Sequence, residues 1–167
     1  MTHPKLLIIG HGRHGKDTAA EHWYNKFQMN YKSSSLAAAE IFIFDELRAK
    51  YNYNTFEECY NDRHNHRAEW YNLIVDYNKN DKCRLAKDIM KTTTCYVGMR
   101  DRDEIIACVD NKIFDLVIWV DASRRLPPEP SDSFNIDVDL ADFRIDNNNT
   151  LFEFISKLDR IGQNIFK

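Results

Sequence analysis

The amino-acid sequence predicts an α/β fold in a single domain, a parallel sheet flanked by helices. Three observations carry that expectation. Segments with the pattern of a buried strand alternate with segments of helical period, the order that yields parallel strands joined by crossover helices. Leu116–Val120 is a continuous apolar run, as a strand covered on both faces requires. The apolar run before Gly10 leads directly into GHGRHGKDT and then into a helical pattern. The chain has 167 residues, enough for one domain with a sizeable core. With 43% hydrophobic and 29% charged residues it has the composition of a folded protein.

The elements follow in order. Lys5–Ile9 reads as a buried strand bounded by glycine. From Gly15 a helix runs through TAAEHWYNKF, with Ala19, Ala20, Trp23 and Phe27 on one face. SSSLAAAEIFIFDELRAKY is a polar turn and then a helix starting near Ser35, whose hydroxyl suits an N-cap. NTFEECYND opens a short helix at Asn54 or Thr55. In HNHRAEWYNLIVDYN, Trp70, Leu73, Ile74 and Tyr77 recur at i, i+3, i+4 and i+7, the stripe of an amphipathic helix. DKCRLAKDIM is another. TTTCYVGM is β-branched and aromatic, a strand, and RDRDEIIACVDN turns helical after it. FDLVIWVDA is the clearest interior strand. RRLPPEPSDS is a loop, ADFRIDN a short last strand and TLFEFISKLDRI the closing helix. Ligands of parallel sheets bind outside the carboxyl ends of the strands. The loops GHGRHGKD, GMRDRDE and DASRR are therefore expected to face one crevice.

Charge and cysteine content narrow the function classes. A net charge of −3 argues against a nucleic-acid coat or a basic sliding protein. Residues 1–100 carry 15 Lys+Arg and 12 Asp+Glu, whereas residues 101–167 carry 8 and 14, so a cationic cleft remains compatible with the total. Cys59, Cys83, Cys95 and Cys108 lie far apart with no C-x-x-C pair. They are expected as free thiols of a reducing cytosol, with no zinc site. The apolar stretch in MTHPKLLIIGHG is too short for a signal peptide or a membrane span. The expected location is cytoplasmic, without membrane partners.

The glycine loop holds the strongest chemical signal. Gly10 to Lys16 match G-x-x-x-x-G-K between a buried strand and a helix, the context a phosphate-binding loop demands. Glycines let several backbone N–H groups turn inward around phosphate oxygens, and the following helix adds its N-terminal dipole. The expected fold is thus of the P-loop NTPase type. The residues expected to bind the nucleotide are Gly10, His11, Gly12, Arg13, His14, Gly15, Lys16, Asp17 and Thr18. Asp17 stands where the motif carries a hydroxyl that ligates Mg²⁺. A carboxylate is also a hard oxygen ligand, so Asp17 and Thr18 are the expected metal ligands. The alternative is that Asp17 only favours the first helical turn electrostatically.

GKDT, rather than GKST or GKTT, resembles the P-loop kinases of tailed phages, the deoxynucleoside monophosphate kinase group. That group ends a later strand in a D-x-R-F-P-N-E pattern. Gly98-Met99-Arg100-Asp101-Arg102-Asp103-Glu104 keeps Arg100 and Glu104 but has Gly98 at the Asp position. The departure removes the group's usual second Mg²⁺ anchor and turns attention to Asp17 or Asp101. ADFRIDNNNTLFEF also looks like the group's closing strand and helix. GHGRHGKDT, DRHNHRAEW and FDLVIWVDASRRLPPE further resemble small phage kinases that phosphorylate 5-hydroxymethyluracil within DNA, a step toward hypermodified thymine. The resemblance implies ATP and Mg²⁺ as cofactors, the host cytoplasm as location, and hydroxymethyluracil-containing DNA or a free deoxynucleoside monophosphate as acceptor.

The two acceptors make different demands. A monophosphate needs cations to hold two phosphates together, whereas a neutral hydroxyl profits from a base. Arg63, Arg67, Arg100, Arg124 and Arg125 are candidate clamps, and Arg124 or Arg125 can alternatively stack on adenine. Asp45, Asp62, His64, His66 and Glu69 are candidate bases. Asp45 and Glu46 interrupt an apolar helix, where a carboxylate can have a raised pKa, and Asp45 is the chosen base. Arg63, His66 and Arg67 share one side of a helix start that Trp70 continues, an arrangement suited to a stacked base with its phosphate on arginine. Trp70 packed in the core is the competing reading. Ser33, Ser34 and Ser35 line the acceptor pocket or cap the helix. The expected catalytic set is Lys16, Asp45, Arg67 and Arg100, with a helical acceptor segment over about residues 36–91. The expected activity is transfer of the γ-phosphate of ATP to 5-hydroxymethyl-deoxyuridine in DNA. A deoxynucleoside monophosphate kinase is the alternative, and a nucleotide-binding module without catalysis is a third, given Gly98.

Overall fold

The structure is a computed structural model and describes residues 3–167. Five parallel strands form one sheet: β1 (Leu6–Ile9), β2 (Tyr31–Ser33), β3 (Cys95–Val97), β4 (Leu116–Asp121) and β5 (Phe143–Asp146). Their order across the sheet is β2-β3-β1-β4-β5. The central strand β1 therefore has β3 on one side and β4 on the other. Its carboxyl end opens between the loops that leave both neighbours, where a ligand of an open α/β sheet sits.

Strand periodicity sorts the side chains into two layers. Leu6, Ile8, Val97, Ile118 and Val120 face helices α1 (Lys16–Phe27) and α8 (Leu151–Ile165). Leu7, Ile9, Tyr96, Val117 and Trp119 face the opposite layer. That layer contains α2 (Ser34–Ala38), α3 (Phe44–Tyr51), α4 (Phe56–Asp62), α5 (Arg67–Tyr77), α6 (Arg84–Met90) and α7 (Arg102–Asp110). Because both faces are covered, every residue of β1 and β3 is buried. Trp23 fastens the first layer: its indole N–H donates to Leu158 O at 2.9 Å, joining α1 to α8.

Two local expectations change. β2 is an additional strand, over two residues assigned to no element and the first serine of the expected polar turn. Its three residues, Tyr-Lys-Ser, are half-buried at a sheet edge and carry no apolar run. The cap of the following helix is accordingly Ser33 rather than Ser35, with its hydroxyl accepting from Leu36 N at 3.2 Å. The helical run then passes through one π turn, Ala39–Ile43, before α3. Thr55 caps α4 in a full capping box with Glu58, as its spacing allows.

β1 and β4 approach closely at Gly10. Its φ is 141°, and a Cβ there would lie 2.5 Å from Val120 O. Gly10→Ala is expected to lower stability by about 3 kcal/mol, since backbone must move to admit the methyl. Urea unfolding of the two proteins measures it, and an unchanged midpoint would mean that β1 and β4 do not pack this tightly.

Candidate active site

Residues 10–15 leave β1 and turn into α1 at Lys16. The loop is held from below by the ends of β4 and β5. Ala122 N donates to His14 Nδ1 at 3.0 Å, and the other ring nitrogen reaches Pro127 O at 3.3 Å. Asn147 Nδ2 donates to His14 O at 2.9 Å. His11 stacks on Phe134 at 4.2 Å and accepts from Glu129 N at 3.0 Å. Both loop histidines thus anchor the loop to the β4–β5 connection, and neither lines the adjoining cavity. Buried beside His14, the His11 imidazole is held below its usual pKa.

Lys16 lies in the cavity with its Nζ donating to His11 O at 2.8 Å. Burial, with Arg100 next in weight, lowers its pKa to about 8, against the pull of Glu129 and Asp17. An incoming phosphate would raise it again, because an opposite charge at close range favours the protonated amine.

The cavity, about 240 Å³, opens between the glycine loop, β3 and α5. Arg13, Arg63, His64, Arg67 and Arg100 are among its lining residues. Burial and those same four arginines hold the His64 imidazole below its usual pKa, so the surroundings are strongly cationic. Arg67 Nη2 contacts His64 Nδ1 at 3.0 Å, and since arginine only donates, the lone pair of that nitrogen is occupied. Arg63 stacks on the Tyr60 ring at 3.9 Å. The apolar wall comes from Tyr60, Trp70, Tyr71, Ile74 and Val75.

A carboxylate absent from the sequence-derived site lies at the centre of this charge. Glu129 accepts from Arg67 Nη1 at 2.9 Å and from Arg100 Nη1 at 2.5 Å. Only 6% of its side chain is exposed. A Cβ on Gly12 would meet Glu129 Oε1 at 2.5 Å, so the carboxylate rests directly on the glycine loop. It sits where an anion bound by that loop and the two arginines would lie. Pro128 and Pro130 flank Glu129, which reads as surface loop in the sequence and gives no sign of burial.

Several expected residues fall elsewhere. Asp45 is exposed on α3 and does not line the cavity. Ile43 and Leu47 face the core, and a residue two positions from each points to the opposite side of the helix. Glu46 is exposed as well. Asp62 is engaged by Tyr53, Asn65 and His66, and Glu69 by Lys50 and Tyr51. These carboxylates and His66 serve packing between α3, α4 and α5. Arg63 lies in a separate turn, Arg63–Asn65, and His66 stands between that turn and α5. Arg124 pairs with Asp146, and Arg125 donates to Asn147 O at 2.7 Å, which places both at the β5 end, outside the cavity lining. Trp70 packs in the core at 5% exposure and is also part of the cavity wall. All three serines of Ser33–Ser35 line the cavity.

Gly98, at the end of β3, has φ 94°, and a Cβ there would stand 3.4 Å from Ser34 Oγ and 4.0 Å from Lys16 Cε. The space lies next to Lys16, but a side chain would be strained in this left-handed conformation. Ser34 instead donates to Gly98 O at 3.0 Å. Among the described residues no group of three His, Cys, Asp or Glu side chains forms a metal cage. Asp17, exposed on the first turn of α1, lines the cavity. Thr18 is exposed on the same turn and lies outside the lining. This donor set fits Mg²⁺, which commonly takes one or two carboxylates and completes its shell with phosphate oxygens and water. Asp101 caps α7 by accepting from Asp103 N.

No family model and no curated protein matches the chain. Among solved structures, a shikimate kinase from Bacteroides thetaiotaomicron is similar over 98% of this chain and 98% of its own, with 9% identity and a TM-score of 0.53. A shikimate kinase from Aquifex aeolicus (97% and 99% covered, 10% identity, TM-score 0.49) and a gluconokinase from Sinorhizobium meliloti (98% and 95%, 9%, 0.49) are also similar. At 9% identity the first likeness is one of fold, a P-loop-type parallel sheet with helices on both sides. Among the described residues no helix is long and apolar enough to cross a membrane.

Two measurements test this geometry. Glu129→Gln removes the anion that competes for Arg67 and Arg100. ATP is expected to bind about tenfold more tightly to the variant by titration calorimetry, the scale of one charge-assisted hydrogen bond. Weaker binding would show that Glu129 supports the phosphate site instead. Glu104, 2% exposed on α7, has its pKa raised from 4.5 to about 7, chiefly by burial, with Asn78 opposing and Asp101 assisting. Its folded pKa exceeds its unfolded one, so the native state holds the proton more tightly and loses stability as pH rises from 4.5 to about 7. Glu104→Gln abolishes that loss: at pH 8 the variant is expected to gain up to about 3 kcal/mol over the native protein, and little at pH 4. Urea unfolding across that range decides it, and a gain independent of pH would contradict the assignment.

Proposed function

We propose that the protein is an ATP-dependent phosphotransferase whose acceptor is the hydroxymethyl group of 5-hydroxymethyl-deoxyuridine in DNA. The observation that carries the reading is the glycine loop with Lys16 opening onto a cationic, aromatic-walled cavity. The fold shared with the Bacteroides thetaiotaomicron shikimate kinase is consistent with it. In this reading the backbone N–H groups of residues 10–15 and Lys16 hold the β- and γ-phosphates, and Asp17, with Thr18 beside it, holds Mg²⁺. Mg²⁺ held there would supply charge screening for the phosphates. Arg67 and Arg100 take phosphate oxygens in place of the Glu129 carboxylate. Phosphoryl transfer asks mainly for positioning and cations, and the rim supplies both.

In the transfer the acceptor oxygen bonds to the γ-phosphorus, the bond to the ADP oxygen breaks and the hydroxyl proton leaves. Glu129, freed from the arginines, takes that proton. The role fell to Asp45 in the sequence, but Asp45 is exposed on α3 and does not line the cavity, whereas Glu129 is paired with two of the arginines that do. A deoxynucleoside monophosphate acceptor is the second reading, favoured by the number of arginines at the rim. Glu129 weighs toward the neutral acceptor, since a carboxylate assists a hydroxyl and repels a phosphate.

The test is transfer from ATP labelled in its γ-phosphate, offered separately hydroxymethyluracil-containing DNA and deoxynucleoside monophosphates. Label in DNA alone is expected. Label only in a monophosphate establishes the second reading, and ATP binding without any transfer establishes a module without catalysis. Lys16→Ala is expected to reduce transfer at least about 1,000-fold, on the scale of losing an electrostatic transition-state contact. Undiminished transfer in that variant would mean that the loop is not the phosphate site.

A further inference from the structure

Two buried side-chain polar atoms, Trp70 Nε1 and Glu104 Oε1, have no hydrogen-bond partner among the described residues. Both residues line the same cavity, Trp70 from α5 and Glu104 from α7. Each side chain is more than nine-tenths buried, at 5% and 2% exposure. Folding leaves few such groups unpaired, because each forfeits its hydrogen bonds to water. The two are complementary in kind: an indole N–H only donates, and the oxygens of an ionised carboxylate only accept. Tyr60, Tyr71, Ile74 and Val75 add flat and apolar surface to the same walls, which suits a planar ring.

We propose that Trp70 and Glu104 form a base-reading pair selective for a dioxopyrimidine, the ring of uracil and thymine. The Trp70 N–H donates to a ring carbonyl oxygen, and the Glu104 carboxylate accepts the adjacent ring N3–H. Cytosine fails at the second contact, since its N3 presents a lone pair to the carboxylate. Guanine offers an N–H beside a carbonyl but needs room for two rings. The cavity of about 240 Å³ falls below the roughly 300–1,000 Å³ of sites for larger ligands. The carboxylate and the indole are thus specificity-determining residues, and Lys16, Arg67 and Arg100 face the phosphoryl groups in the same cavity. This inference rests on reading the cavity as the acceptor site.

The experiment is calorimetric titration of the intact protein at about pH 8.5, where Glu104 is ionised, without ATP, with the 5′-monophosphates of deoxyuridine, deoxycytidine and deoxyguanosine. Deoxyuridine monophosphate is expected to bind at least about tenfold more tightly than either of the others, on the scale of one hydrogen bond and one unpaired buried group. Trp70→Phe keeps the aromatic wall without the donor and is expected to weaken deoxyuridine monophosphate about tenfold. Glu104→Gln carries an amide that both donates and accepts, so cytosine is expected to come within about threefold of uracil. Far-ultraviolet circular dichroism checks that each variant is folded, and the Glu104→Gln ratio stands by itself if Trp70→Phe does not fold. Equal affinity for uracil and cytosine in the native protein overturns the pair. So does a preference for guanine, an unchanged ratio in Glu104→Gln, or no binding of any of the three at millimolar concentration. Uracil selectivity without phosphate transfer leaves the pair standing and removes the kinase reading. Transfer to an acceptor without base selectivity does the reverse.

Discussion

The close contact between the glycine loop and the carboxyl end of β4 is the constraint on which the rest of the site depends. Gly10 brings backbone against Val120 O, and the Ala122 N–H reaches into the loop to His14. Asn147, after β5, ties down the His14 carbonyl and donates its own N–H to Asp121 O at 2.7 Å. Three strand ends therefore fix one short loop. A loop so held keeps its N–H groups aimed without a ligand, which is the pre-organisation that electrostatic binding of phosphate requires. His14 is fully buried beneath it, so the fixing interactions are shielded from water.

Cations gathered by such a scaffold repel one another until an anion arrives. Lys16 shows the strain as a lowered pKa, and His64 does the same beside four arginines. Glu129 relieves it from within the chain, bridging Arg67 and Arg100 across Gly12. The carboxylate is carried by the connection between β4 and β5, which also covers the loop after β3 through Asn135 and Arg102. On the proposed reading, a phosphate entering the site exchanges with this internal anion. Folding stability and ligand affinity are consequently coupled through the same two guanidinium groups.

How much of this was legible in the sequence depended on the range of the interaction. Strands and helices with strong periodicity, and the glycine loop between β1 and α1, are local and were readable. β2 was not, because three half-buried residues at a sheet edge leave no apolar signature. Arg67 and Arg100 could be picked out as cations, and they do line one cavity. Their shared partner could not, since Glu129 is 62 positions from Arg67 and 29 from Arg100. Asp45 misled for the converse reason. An acid in an apolar stretch suggests burial, yet the stretch is amphipathic, and Ile43 and Leu47 take the buried side. Glu104 was marked only through the resemblance to the phage kinases, and burial gives it a physical role that the motif alone does not state.

Glu104 and Trp70 also reverse the usual relation between stability and sequence. A buried acid with a pKa near 7 and an indole without an acceptor both weaken the native state. Leucine at 104 and phenylalanine at 70 would fill similar space without that penalty. Unrelieved costs of this kind persist where a bound partner relieves them, and two lie in one cavity beside the phosphate loop. On the reading proposed above, one planar ring edge satisfies donor and acceptor together, and a ring with the wrong edge leaves at least one of the two groups buried and unpaired, which turns the penalty into discrimination.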